Sequence, residues 1–100
     1  MDDAAAVRHN RDANRFELER EGRVAIAEYR LRGDTITFTH TYVPPELRGG
    51  GVGSALVRGA LEYVRAQGLK VVPACSFVAK YIREHPETQD LLAAQHSFDF

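Results

Sequence analysis

The chain has 100 residues, 44% of them hydrophobic and 27% charged, with a formal net charge of −1. That length suits one small domain over residues 1–100 with a single core, and scattered Lys and Arg at near-neutral charge leave no electrostatic footprint for nucleic acid. No apolar run reaches the roughly 20 residues that span a bilayer, Met1-Asp2-Asp3 lacks a signal-peptide layout, and a lone Cys75 excludes an internal disulfide, so a cytoplasmic protein with no membrane partner is expected.

Residues 1–6 are expected to fray, and Val7–Asn10 to form a short strand before the polar turn Arg11–Asn14. Phe16 and Leu18 alternate with Glu17 and Glu19, Glu21-Gly22 breaks the run and Val24–Leu31 resumes it, which predicts a hairpin. Arg32-Gly33-Asp34 makes the next turn; the triplet is also an integrin-type sequence, but a tight hairpin accounts for it. Thr35–Val43 then alternates so that Ile36, Phe38, His40 and Tyr42 share one face and the threonines the other. Pro44-Pro45 ends the ladder, because proline has no N–H to donate and restricts the residue before it.

Next comes Arg48-Gly49-Gly50-Gly51-Val52-Gly53-Ser54. Its glycines are expected to serve backbone conformation and ligand approach rather than packing: a glycine turn leading into a helix presents unpaired N–H groups to an anion. Val52, Leu56, Ala60 and Val64, with Ala55 and Tyr63 alongside, predict a helix over 52–67 that ends at Gly68. Leu69–Cys75 reads as a strand in which Pro73 marks an edge, a bulge or a splayed section. The strand, helix, strand crossover makes it parallel to Thr35–Val43. Ser76 or Cys75 caps a second helix over Phe77–His85, which Pro86 stops; Glu87–Ala94 predicts a short further helix and Gln95–Phe100 coil. His9, His40, His85 and His96 have no ligand spacing with one another or with Cys75, so no metal is expected.

Three glycine patterns discriminate among phosphate binders. Gly53 is followed by Ser54-Ala55, not Lys-Ser or Lys-Thr, which excludes a P-loop. Gly49-x-Gly51 meets Ser54, and Gly51-x-Gly53 meets Leu56, where a dinucleotide fingerprint needs glycine or alanine. Arg48, Gly51 and Gly53 do satisfy Arg/Gln-x-x-Gly-x-Gly/Ala between an antiparallel strand and a helix. With Val43-Pro44-Pro45-Glu46-Leu47 leading in and Ser54-Ala55-Leu56 leading out, the loop resembles the pyrophosphate loop of the GNAT superfamily of N-acetyltransferases. His40-Thr41-x-Val43-Pro44, Pro73-x-Cys75-Ser76 and His85-Pro86-Glu87 extend the resemblance to a subfamily of very small GNAT-like domains, over Val7 to Leu92.

The resemblance implies an α/β (α+β) fold: a mixed, mainly antiparallel sheet with one splayed parallel strand pair and two to three helices. Unlike the larger superfamily, the chain has no room for the helix pair that follows the first strand and helps shape the acceptor site. Acetyl-coenzyme A is the implied co-substrate, held by Tyr42, Val43, Arg48, Gly49, Gly50, Gly51, Val52, Gly53 and Ser54. The pantetheine arm would lie between the splayed strands, bringing His40, Tyr42, Val43 and Cys75 towards the thioester, with main-chain N–H near Val43 as oxyanion donor.

Cys75 has two readings, a nucleophile favoured by the positive end of a helix and a packed small hydrophobe. His40 is either a base or a hydrogen-bonded core residue. Tyr81 is either the acid that protonates departing thiolate or a packing residue, and Lys80 and Arg83 are candidates for the nucleotide 3′-phosphate. His85-Pro86-Glu87 reads structurally, as a helix stop with a capping carboxylate. The implied activity is acetyl transfer to an amine, a protein lysine or N-terminus or a small amine, by a monomer or weak dimer. An acyl-coenzyme A-binding module with little catalysis is the competing class, and an interaction domain that binds neither is the third.

Overall fold

In a computed structural model, which describes residues 6–93, five strands form one sheet: β1 (Arg8–Asn10), β2 (Arg15–Arg20), β3 (Arg23–Arg32), β4 (Thr35–Tyr42) and β5 (Lys70–Pro73). The α-helices are α1 (Val52–Gln67) and α2 (Ser76–Glu84), and 3₁₀ turns cover Pro45–Leu47 and Pro86–Leu91. Strand order follows the chain, antiparallel from β1 to β4 and parallel between β4 and β5. Most of the expected fraying (residues 1–5), Ala94 at the end of the expected third helix and the coil Gln95–Phe100 lie outside the described residues.

Alternation places Phe16, Leu18, Ala25, Ala27, Tyr29, Ile36, Phe38 and Val71 on one buried face. There α1 lays down Leu56, Val57, Ala60, Leu61 and Val64, and α2 adds Val78 and Ile82. Burying each large side chain contributes about 1.5–3 kcal/mol. Ala25 and Ala27 on the central strand leave room for α1 to cross the sheet. The hairpin turn works as predicted: Glu21 and Gly22 both have positive φ (52° and 76°), the geometry that matches a two-residue turn to strand twist. Among the described residues no helix is long and apolar enough to cross a membrane.

One expectation fails for a definite reason. Tyr29 pairs with Phe38, but Glu28 pairs with His40, so Thr39 is an extra residue, a β-bulge on β4. Each inserted residue reverses the face of everything after it. His40 and Tyr42 therefore do not share a face with Ile36 and Phe38; they turn, exposed, to the side of the sheet that no described helix covers, while Thr41 and Val43 turn to the helix side.

The strand β5 is also shorter than the expected Leu69–Cys75. Its ladder stops where Pro73 pairs with Phe38, and the Cys75 N–H then donates to the Phe38 carbonyl at 2.8 Å. Its far edge is covered in part by the Val71–Leu92 bridge and by the Ala93 N–H donating to the Val71 carbonyl at 2.9 Å. The short further helix expected over Glu87–Ala94 is a 3₁₀ helix over Pro86–Leu91; Arg65 grips it through both oxygens of Asp90, each 2.9 Å away, and the Glu87 carbonyl.

Candidate functional site

The bulge at Thr39 and the stop at Pro73 part β4 from β5 just where α2 begins. Cys75 is the N-cap residue of α2, half-buried, and its side chain does not cap that helix. Instead its Sγ–H donates across the gap to Thr41 Oγ1 at 3.3 Å.

On the other side of the gap, Pro45–Leu47 makes one tight turn anchored by buried Leu47. Gly49 and Gly51 then take φ of 87° and 80°, which reverses the chain into α1. Gly51 is the N-cap of α1 and has no side chain to cap it, so the first N–H groups of that helix have neither an intrahelical acceptor nor a side-chain one. Arg48 is held beside them: its Nε donates to the Val43 carbonyl at 2.9 Å, and the guanidinium lies 6.0 Å above the Tyr42 ring. Among the described residues its two Nη groups make no further hydrogen bond.

These pieces bound a cleft of about 410 Å³, lined by Thr41, Val43, Leu47, Arg48, Gly49, Gly51, Val52, Gly53, Ser54 and Phe77. Seven of the nine predicted cofactor residues are thus brought together. Of the other two, Gly50 borders a neighbouring recess and Tyr42 lies under Arg48 on the open side.

Gly53 corrects the expectation that packing has no part in the glycines. A Cβ there would sit 2.6 Å from Phe77 Cζ, so the ring of Phe77 rests directly on the buried helix backbone. Phe77, which sequence reasoning passed over, is 39% exposed and forms one wall of the cleft. The available signal was an apolar residue at the exposed start of α2, immediately after the Cys75-Ser76 cap.

The neighbouring recess, about 280 Å³, is lined by Gly50, Gly51, Ser54, Ala55, Arg58, Tyr81 and His85, and meets the cleft at Gly51 and Ser54. Tyr81 lies there rather than beside Cys75's partner Thr41, and burial pushes its hydroxyl above the ordinary tyrosine range. His85 stacks on it, centroids 3.8 Å apart, with Nδ1 2.7 Å from the Tyr81 carbonyl. A carbonyl only accepts, so Nδ1 carries the hydrogen and Nε2 of the neutral ring is the free acceptor. Arg58 in this recess was also missed, whereas Lys80 and Arg83 are exposed on α2 and line neither space. His40 is outside both, paired across the strands with Glu28 on the open face. No group of three His, Cys, Asp or Glu among the described residues is placed to hold a metal ion.

Chemically, the site joins a run of uncapped main-chain N–H groups, an apolar wall and a thiol with an oriented S–H. Against known proteins, the family model for GCN5-related N-acetyl-transferase matches residues 15–91. Protein NATD1 of Xenopus tropicalis is 31% identical over 97 residues, 91% of this chain and 88% of its own length. Protein NATD1 of Mus musculus is 33% identical over 88 residues, covering 85% and 80%. The NMR solution structure of a GCN5-like protein from Staphylococcus aureus superposes with a TM-score of 0.70 at 26% identity, covering 99% of this chain and 97% of that one.

Proposed function

The chain belongs to the GCN5-related N-acetyltransferase family, and on that premise we propose that it binds acetyl-coenzyme A in the cleft and transfers the acetyl group to an amine. The observation that carries this reading is the continuity of one cleft from the uncapped N–H groups of α1 to Thr41, the hydrogen-bond partner of Cys75. The residues fit the group: main-chain N–H from Gly51 to Ser54 and the free Nη groups of Arg48 suit a pyrophosphate, and Val43 and Phe77 suit an apolar arm.

Bound there, acetyl-coenzyme A supplies an activated acetyl thioester. Cys75 contributes a thiol whose S–H is directed at Thr41; were Sγ to capture the acetyl group, its S–H bond and the acyl C–S bond of the coenzyme would break, and the Cys75 proton would pass to the departing coenzyme A thiolate. Main-chain N–H near Val43 is the oxyanion donor in this reading. In this reading His40 meets the acceptor amine only where it enters from the open face between the parted strands, and Tyr81, in the neighbouring recess and away from Cys75, has no part in protonating the thiolate.

Titration of the purified protein with coenzyme A, followed by thiol release with a panel of amines, tests the proposal. Binding with amine-dependent thiol release is expected. Cys75→Ala should lower the rate at least about tenfold if Sγ carries the acetyl group; full transfer by that variant at saturating substrate would exclude the acetyl-cysteine route and leave direct attack. One observation favours a second reading, a binding module with little catalysis: the sheet face on which an acceptor site would be built has no helix over it among the described residues. Tight coenzyme A binding with no thiol release from any amine would select it.

A further inference from the structure

The uncovered sheet face has one concentration of unspent charge. Arg30 and Arg32 stand two residues apart on β3, both exposed, facing Thr37 and Thr35 on β4, with Val72 of β5 beyond. Together these five residues line a shallow cup of about 390 Å³. Every other arginine among the described residues has a partner: Arg8 and Arg15 share Glu17, Arg23 meets Glu46, Arg65 meets Asp90, Arg48 meets the Val43 carbonyl, and the rest are likewise engaged. Among the described residues Arg30 and Arg32 have none. Thr35 Oγ1 already donates to Asp34 Oδ1 at 3.3 Å, which leaves two free guanidiniums and the Thr37 hydroxyl as a receptor for carboxylates or other planar anions.

Resting on the transferase reading above, we infer that this cup docks an acidic, extended segment of a protein acceptor. Side chains two apart on one strand face are spaced by about 7 Å, the spacing of alternate residues in an extended peptide, so carboxylates at i and i+2 match the two arginines. The cup is small, and Glu28, two residues before Arg30, lies on the same face opposite His40. A polyanion such as RNA would meet that carboxylate, whereas a short segment with two acidic residues need not. Following β4 from Thr37 to the parted region at Thr41 covers four residues, about 13 Å, which sets the distance from the docked carboxylates to the reacting amine.

The test uses a fluorescent extended peptide with glutamates at i and i+2 and one lysine about four residues from the nearer one, beside a twin with glutamines in their place. Anisotropy gives affinity without coenzyme, and thiol release with acetyl-coenzyme A gives transfer. Binding of the glutamate peptide roughly tenfold tighter than the twin is expected from two exposed charge pairs. It should weaken with salt, be lost in R30Q/R32Q, persist in the charge-matched double control R11Q/R20Q, and appear as a matching difference in KM. Equal affinity for the twins, or a difference that survives R30Q/R32Q, overturns the inference even if small amines are acetylated. An RNA oligomer that binds more tightly through the same two arginines overturns the choice of occupant. Selective peptide binding without transfer to any amine overturns the acceptor role together with the transferase reading, and leaves an acidic-peptide docking site.

Discussion

On one side of Phe38 the sheet is a continuous ladder, and on the other it comes apart. In the closed part, β2 pairs with β3 through six consecutive positions, and the rings of Phe16, Tyr29 and Phe38 lie 5.5 to 6.3 Å apart beneath α1. In the parted region β4 carries a bulge, β5 has already ended at Pro73, and two glycines at positive φ turn the chain into α1. The first region satisfies its backbone groups internally and fills its space with side chains. The second leaves N–H groups uncapped and space unfilled, which is what a ligand that binds through main-chain donors requires.

Truncating one aromatic in each region is the strongest test of that contrast. Phe16 is 1% exposed, so Phe16→Ala should lower unfolding free energy by about 3–5 kcal/mol in urea titrations. Phe77 is 39% exposed, so Phe77→Ala should cost less than about 1 kcal/mol, near the usual range for surface changes, while weakening coenzyme A binding. Equal destabilisation by the two would show that the parted region is as much core as the other.

The glycines come next. Gly51→Ala forces a side chain to φ 80°, at a cost of about 1–2 kcal/mol, together with weaker coenzyme A binding as the loop readjusts. Gly53→Ala acts differently. Helix propensity improves by about 1 kcal/mol, but the new Cβ, 2.6 Å from Phe77 Cζ, must push the ring towards the cleft. Stability near that of the parent with weaker coenzyme A binding is expected, and adding Phe77→Ala should recover part of the affinity. A purely additive double mutant would show that the two residues do not act through this contact.

The same division explains what could be read from the chain. Alternation and three-and-four spacing gave α1 to the residue and the β2–β3 hairpin within a residue or two, because periodicity is preserved wherever pairing is regular. The glycine loop was legible because positive φ and an uncapped helix start need residues without side chains. The faces of His40 and Tyr42 were not, since a bulge is a one-residue event decided by packing around it and leaves no mark in the local pattern. Phe77, Arg58 and the free pair Arg30 and Arg32 escaped for a related reason: each matters through a neighbour distant in sequence or through lacking one.

The smallest expected effect sharpens the closed side. His9 on β1 stacks on Phe16 at 4.3 Å, meets Tyr63 edge-on at 4.4 Å, and places Nε2 2.6 Å from the Tyr29 hydroxyl. Its Nδ1 is buried with no hydrogen-bond partner, so a proton there would be an unmatched donor, and the neutral ring carries its hydrogen on Nε2 towards Tyr29. Burial first, and then the charge of Arg11, hold the imidazole below its ordinary 6.5. The unfolded chain therefore binds a proton that the folded one resists, and stability must fall as pH drops below 6.5 through the lower folded value. Glu17 has the same sign, its carboxylate held below 4.5 by hydrogen bonds from Asn10 and Arg15, but its contribution is lost only at lower pH. Comparing urea midpoints at about pH 7.5 and about pH 5 spans the imidazole range, and subtracting the same difference for His9→Phe, which keeps the stacking and cannot titrate, cancels the other three histidines. A drop in the parent that the variant lacks is expected; an identical drop in both would mean that β1 is not held by a neutral imidazole.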